Sequence, residues 1–188
     1  MRRALAVGAA FVVIALTAGC GGGDDNAGND IEGATTTTTV DITSRVKTYV
    51  VTDRTHVQGP VDYPQKPPVG GNHAPMWQNC GFYPVPVPTE RAVHSMEHGA
   101  VWITYRPSLP DQQARLLRAF AQANPYVLVS RWAEETLPAS VVASAWGAQM
   151  TADSAADPAV AAFVSIYANG PQTPEKGAPC SGSASTPD

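Results

Sequence analysis

Residues 46–52 (VKTYVVT) alternate between apolar and polar positions and are rich in β-branched side chains, so they predict a strand. Residues 100–105 (AVWITY) are apolar almost throughout and predict a second strand, at least half buried, that the prolines at 107 and 110 close. The period then changes. Ala114, Leu117, Phe120 and Ala121 recur at helical spacing, Ser108 stands three residues before Asp111 as in a capping box, and Asn124-Pro125 supplies the stop. Residues 126–130 and 140–146 predict two further strands. Asp157-Pro158 is an N-cap and first-turn pair for a second helix, with Val160, Phe163, Val164 and Tyr167 as its buried stripe and Asn169-Gly170 as its end. The fold class is therefore α+β: a single small domain with a mixed or antiparallel sheet and two helices.

One stretch has no period. Residues 60–88 hold eight prolines together with Gly70, Gly71 and Gly81, which forbids regular structure over most of their length. A loop this long inside a compact domain is functional or disordered. Its aromatics, Tyr63, Trp77, Phe82 and Tyr83, argue for a segment that is ordered and packed.

The N-terminus carries a different pattern. Arg2 and Arg3 precede an almost uncharged apolar run, residues 5–16, which ends in Leu16-Thr17-Ala18-Gly19-Cys20. A basic start, a short apolar run and small residues before a cysteine make a lipoprotein export signal. The run is too short for a spanning helix of about 20 residues. Residues 1–19 are then the signal peptide, and Cys20 becomes an acylated N-terminus in the lipid bilayer. The domain is extracytoplasmic, lipid-anchored to the cell membrane. Residues 20–45 form a tether, since GGGDDNAGNDIEG and Thr35 to Thr39 offer little apolar surface to offset ordering entropy. The globular domain spans residues 46–180, and residues 181–188 form a frayed tail.

Loss of Arg2 and Arg3 with the signal takes the net charge from −4 to −6, which argues against nucleic acid as a partner. It also leaves Cys80 and Cys180 as the only cysteines besides Cys20. In an oxidising compartment these two are most simply one disulfide, closing a loop of about 100 residues and contributing about 4–5 kcal/mol by the chain-entropy argument. The alternative makes Cys80, seven residues after His73, a metal or redox thiol.

All four histidines fall in residues 56–98: His56, His73, His94 and His98. The string His94-Ser95-Met96-Glu97-His98 matches the inverted zinc-peptidase motif, which works only on a helix. Gly99 and a strand follow at once, so the sequence favours an extended segment with His94, Met96 and His98 on one face. Neutral imidazole suits zinc, copper, iron and nickel, and a thioether shifts preference toward copper. His73, delivered by the proline- and glycine-shaped loop, is the third ligand and His56 a fourth. Asn72, Glu90 and Glu97 are candidates to accept the second ring N–H of the imidazoles.

These residues resemble a bacterial exported family of unknown function, DUF3105. The resemblance runs from about Tyr49 to Tyr167 and rests on His56, Tyr63, Pro67-Pro68, Gly70, His73, Gly81, Tyr83, Pro88, Glu90-Arg91, Val93-His94, Glu97-His98-Gly99, Tyr105-Arg106-Pro107 and Ala145-Trp146-Gly147. It implies export and membrane tethering but brings no activity. The family usually has Leu where this chain has Met96, so a thioether ligand is not its common chemistry. The sequence thus points to an anchored lipoprotein with a histidine site for a transition metal, copper first and zinc second. The alternatives are a metal- or His/Glu-dependent enzyme of unknown substrate and a structural lipoprotein without metal.

Overall fold

The computed structural model describes residues 40–185, which form one small α+β domain. The signal, Cys20 and the tether up to residue 39 lie outside the described residues. Six strands form one mixed sheet in the order β1-β6-β5-β3-β4-β2. In chain order the elements are β1 (Lys47–Thr48), β2 (Gly81–Tyr83), α1 (Thr89–Glu97), β3 (Val101–Tyr105), α2 (Asp111–Ala123), β4 (Val127–Arg131), β5 (Val141–Ala145), β6 (Ala148–Ala152) and α3 (Pro158–Tyr167). Strands β2, β3 and β4 run parallel, α2 making the crossover from β3 to β4. On the other side β3, β5, β6 and β1 pair antiparallel.

The strongly periodic stretches lie where the sequence puts them. The β3, β4 and β5 expectations hold to within a residue or two, and α2 ends at Ala123 before Asn124. Asp157 caps α3, its carboxylate accepting from Ala159 N at 2.9 Å, and Arg45 anchors the same carboxylate at 2.7 Å. Alternation in residues 46–52 yields only the two paired residues of β1, at the sheet edge.

Several expectations need correction. Among the described residues there are three helices, not two, because α1 occupies residues read as extended. It starts at Thr89, directly after Pro88. It can end against a strand because Gly99 has φ +106°, and a Cβ there would come within 2.9 Å of Asn169 Cα. Strand β6 was hidden in AQMTA, whose residues have little β preference; it is set by pairing with β5 across the Trp146-Gly147 turn, where Gly147 has φ +69°. Ser108 does not cap α2. Its amide and hydroxyl both bind the Glu135 carboxylate at 2.7 Å, and Pro110 precedes the first turn. Ile42, placed by sequence in the tether, is buried in the core. The tail is held as far as Ala184, whose carbonyl accepts from Asn79 N at 2.7 Å and whose amide donates to Trp77 O.

The sheet packs on both faces. Alternate residues of β3, β4 and β5, including Val101, Ile103, Val127, Val129, Val141 and Ala143, join Leu117 of α2 and Phe163 of α3 in one core. The opposite face offers Trp102 and Leu128 to Ala92, Val93 and Met96 of α1, with Tyr63, Tyr83 and Trp146 around them. Residues 73–78 run along the far side of α1, bonded to Glu90, Arg91, His94 and Ser95, so that helix lies between the sheet and this part of the irregular chain.

Candidate metal centre

Helical period decides which way α1 turns its chemistry. Ala92, Val93 and Met96 share the face against the sheet, so His94, Glu97 and His98 are carried on the other. Met96 is fully buried in the core and takes no part in the histidine cluster. The extended reading, and the thioether argument for copper that depended on it, are thereby overturned.

His56 and His73 arrive from the irregular chain as a bridged pair: Val57 N donates to His73 O at 2.8 Å and His73 N to Thr55 O at 3.1 Å. The loop is pinned to α1 by Ala74 N donating to Glu90 O and by the Ser95 hydroxyl donating to Gln78 O at 2.6 Å. One ring nitrogen from each of His56, His73 and His94 and a carboxylate oxygen of Glu97 consequently lie within 4.8 Å of one another, close enough to hold a metal ion. The His56 and His94 rings stack with centroids 4.8 Å apart. His98 adjoins the group, its Nε2 being 3.0 Å from that of His94 and 3.5 Å from the Glu175 carboxylate.

The other ring nitrogens decide what these atoms are. His73 Nδ1 is 2.8 Å from Gly71 O, His94 Nδ1 is 2.7 Å from Ala74 O, and His98 Nδ1 is 2.8 Å from Pro179 O. A carbonyl only accepts, so each Nδ1 carries a proton, and in its neutral form each ring presents a lone pair at Nε2. This is the arrangement in which proteins hold imidazole ligands toward a metal. The Nε2 contact between His94 and His98 then brings two lone pairs together, which is repulsive without a cation between or beside them.

Glu97 is buried, and its Oε2 lies 2.9 Å from His73 Nε2. The oxygen is off the direction in which a ring N–H would point, and that buried nitrogen has no hydrogen bond. Donors about 2.0–2.1 Å from one ion sit about 3.3 Å apart at tetrahedral angles, so these two atoms would separate by a few tenths of an ångström to share one. The cation beside Glu97 is Arg54, at 3.8 Å from the carboxylate on a largely exposed side chain. Burial pushes the His94 imidazole down to about 4, the neighbouring histidines adding to the effect against the Ala74 bond, so the ring is neutral and able to ligate at pH 7.

The remaining sequence candidates have other partners. Asn72 Oδ1 accepts from Thr55 N at 2.9 Å, and its carbonyl accepts from the Tyr63 hydroxyl at 2.7 Å. Glu90 Oε1 accepts from Val61 N at 2.9 Å. Both brace the loop, while backbone carbonyls take the ring N–H groups they were expected to accept. Cys80 is bonded to Cys180, so it is no thiol ligand, and Cys80 N donates to Cys180 O at 2.7 Å. That bond fixes the chain whose Pro179 carbonyl orients His98. Sequence reasoning missed Glu97 as a donor in its own right, although a helical reading of His94 and Glu97 at i and i+3 would have found it. Arg54 and Glu175 carry no sequence signal. Trp77, 4.7 Å from the His98 ring, and Trp146, 6.1 Å from His73, wall the cluster.

Comparison with curated proteins and with solved structures finds no match to the chain. Residues 56–182, from the first histidine to just past the second disulfide cysteine, match the model of a protein family of unknown function, and the chain belongs to that family, DUF3105.

Proposed function

We propose that this is an exported lipoprotein, anchored to the outer surface of the cell membrane through acylated Cys20, whose domain binds one divalent transition-metal ion. His56, His73, His94 and Glu97 are its ligands, with His98 beside them. The observation that carries the reading is the cluster itself: backbone carbonyls take Nδ1 of His73 and His94, and ring nitrogens of His56, His73 and His94 lie within 4.8 Å of one another and of a buried Glu97 oxygen. With Met96 in the core, the donors are imidazole and carboxylate alone. That set favours zinc, with Cu(II) second. Exposed His56 gives the ion a route in and out, which suits capture and transfer outside the cell.

The test is metal analysis of untagged protein recovered from its native compartment. About one zinc or copper per chain is expected, with loss in His73→Ala and Glu97→Gln. Cu(II), if it binds there, also quenches Trp77 and Trp146 fluorescence. Protein that retains no metal and whose thermal midpoint ignores zinc and copper overturns the proposal. Anchoring is tested separately by acyl labelling, which Cys20→Ala must abolish.

A second reading, a metal-dependent hydrolase, is favoured by one feature. His94-x-x-Glu97-His98 does lie at the end of a helix, and the His56 side of the cluster is open to solvent. Hydrolysis of nitrophenyl esters by zinc-loaded protein, abolished in His73→Ala, would establish it.

A further inference from the structure

On the sheet face away from the histidines, the parallel strands end together. Tyr105 closes β3 and Arg131 closes β4, and the two are register partners with side chains on the α2 face. Phe82 of β2 stacks on Tyr105 with centroids 6.0 Å apart and planes at 13°. Helix α2 crosses above and adds Arg115 and Arg118, the Arg118 guanidinium lying 4.2 Å over the Phe82 ring. Between them is a cleft of about 260 Å³, with Leu109 in its wall.

Three guanidinium groups face this cleft against one carboxylate, Asp111, in a chain whose net charge is −4. None of the three is in an ion pair with a carboxylate among the described residues. Arg131 Nε is buried and has no hydrogen-bond partner, a cost that a bound acceptor would remove. Burial also raises the Tyr105 phenol, against the opposing pull of Arg131 and Arg118, so it remains a donor at neutral pH. The carboxyl ends of parallel strands, beside the first turns of the following helix, are where open α/β sheets take ligands. Guanidinium is the side chain whose donor geometry matches an oxyanion, and a flat aromatic floor suits a ring.

We propose that this cleft binds a small phosphomonoester whose phosphoryl group is taken by Arg115, Arg118 and Arg131 and whose ring or apolar body lies on Tyr105, beside the Phe82 ring that Arg118 covers. The site is independent of the histidine cluster on the other face of the sheet. Its volume admits a single-ring compound and no more.

Phenyl phosphate is the probe, titrated into the untagged protein by calorimetry and by amide chemical-shift mapping, in buffer containing a chelator so that no metal competes for it. Saturable binding is expected, with shifts at β2, the β3 and β4 ends and α2. Inorganic phosphate should bind at least about tenfold more weakly for want of the aromatic floor, and benzoate, with one charge, likewise. Arg131→Gln and Arg118→Ala should each weaken phenyl phosphate about tenfold. Arg118 is exposed on α2, so its variant folds even if the β4 variant does not. Failure to saturate by about 10 mM, shifts confined to the histidine cluster, or unchanged affinity in Arg118→Ala would overturn the proposal. Benzoate or inorganic phosphate binding as tightly as phenyl phosphate would do the same.

Discussion

The two faces of the sheet bury helices by different rules. On the face of α2 and α3, the helices offer one apolar stripe to the strands and leave their other side to water, and the buried core between them is aliphatic and aromatic. On the α1 face the helix is covered twice, by the sheet under Val93 and Met96 and by the chain around His73 and Ala74 over His94 and Glu97. A second buried side made of polar groups is stable only where each group finds a partner. Carbonyls at Gly71, Ala74 and Pro179 satisfy Nδ1 of three rings, while Nε2 of His73 faces Glu97 and Nε2 of His94 faces that of His98. One face is finished by packing; the other leaves a group of three imidazoles and a carboxylate that could hold a metal ion.

The largest effect should come from the link that holds the second face shut. Replacing both Cys80 and Cys180 by Ser opens a loop with a sequence separation of 100, and denaturant unfolding should show a loss of about 4–5 kcal/mol. Because Pro179 positions His98, metal affinity should fall as well. Phe163→Ala breaks the other face. Truncating this fully buried ring should cost about 3–5 kcal/mol, yet the gain in thermal midpoint on adding zinc should persist, as the ring touches nothing in the cluster.

The metal-free fold should also lose stability as pH falls from about 6.5 to about 4. His94 is held at about 4 in the fold against 6.5 in the open chain, so within that window the unfolded chain binds a proton that the folded ring refuses. Above it the contribution is complete. Urea midpoints measured at intervals of pH in a chelator would show the slope, and His94→Gln should flatten it. The smallest effect belongs to the first face again: Asp157→Ala removes the α3 cap and the Arg45 pair, at a cost of about 1 kcal/mol, with no change in metal content.

The first face was largely legible in the sequence because its determinants are local. Val160, Phe163 and Val164 repeat at helical spacing, Asp157 caps beside Pro158, and β3 and β4 are runs of β-branched residues. The second face was legible in composition but not in geometry. Four histidines in residues 56–98 mark the place, yet which way each points depends on carbonyls supplied by Ala74 and by Pro179, 20 residues before His94 and 81 residues after His98. The start of α1 was missed because Pro88 and the nearby strand signals masked nine helical residues. That error turned Met96 toward the histidines and Glu97 away from them, the reverse of their positions on the helix. At the ends of the domain, Ile42 is buried in the core built from β3 onward, and Ala184 is held by Gln78 and Asn79 over 100 residues away, which no local composition reports.

The measurement closest to the central claim is anomalous diffraction from crystals of the untagged protein grown with zinc and recorded above and below the zinc edge. The account requires one strong peak within about 2.0–2.2 Å of Nε2 of His73 and His94 and of a Glu97 oxygen, with His56 turned to it. The peak should be absent in Glu97→Gln crystals. No peak at the cluster, with Nε2 of His94 and His98 joined by a proton alone, would contradict it.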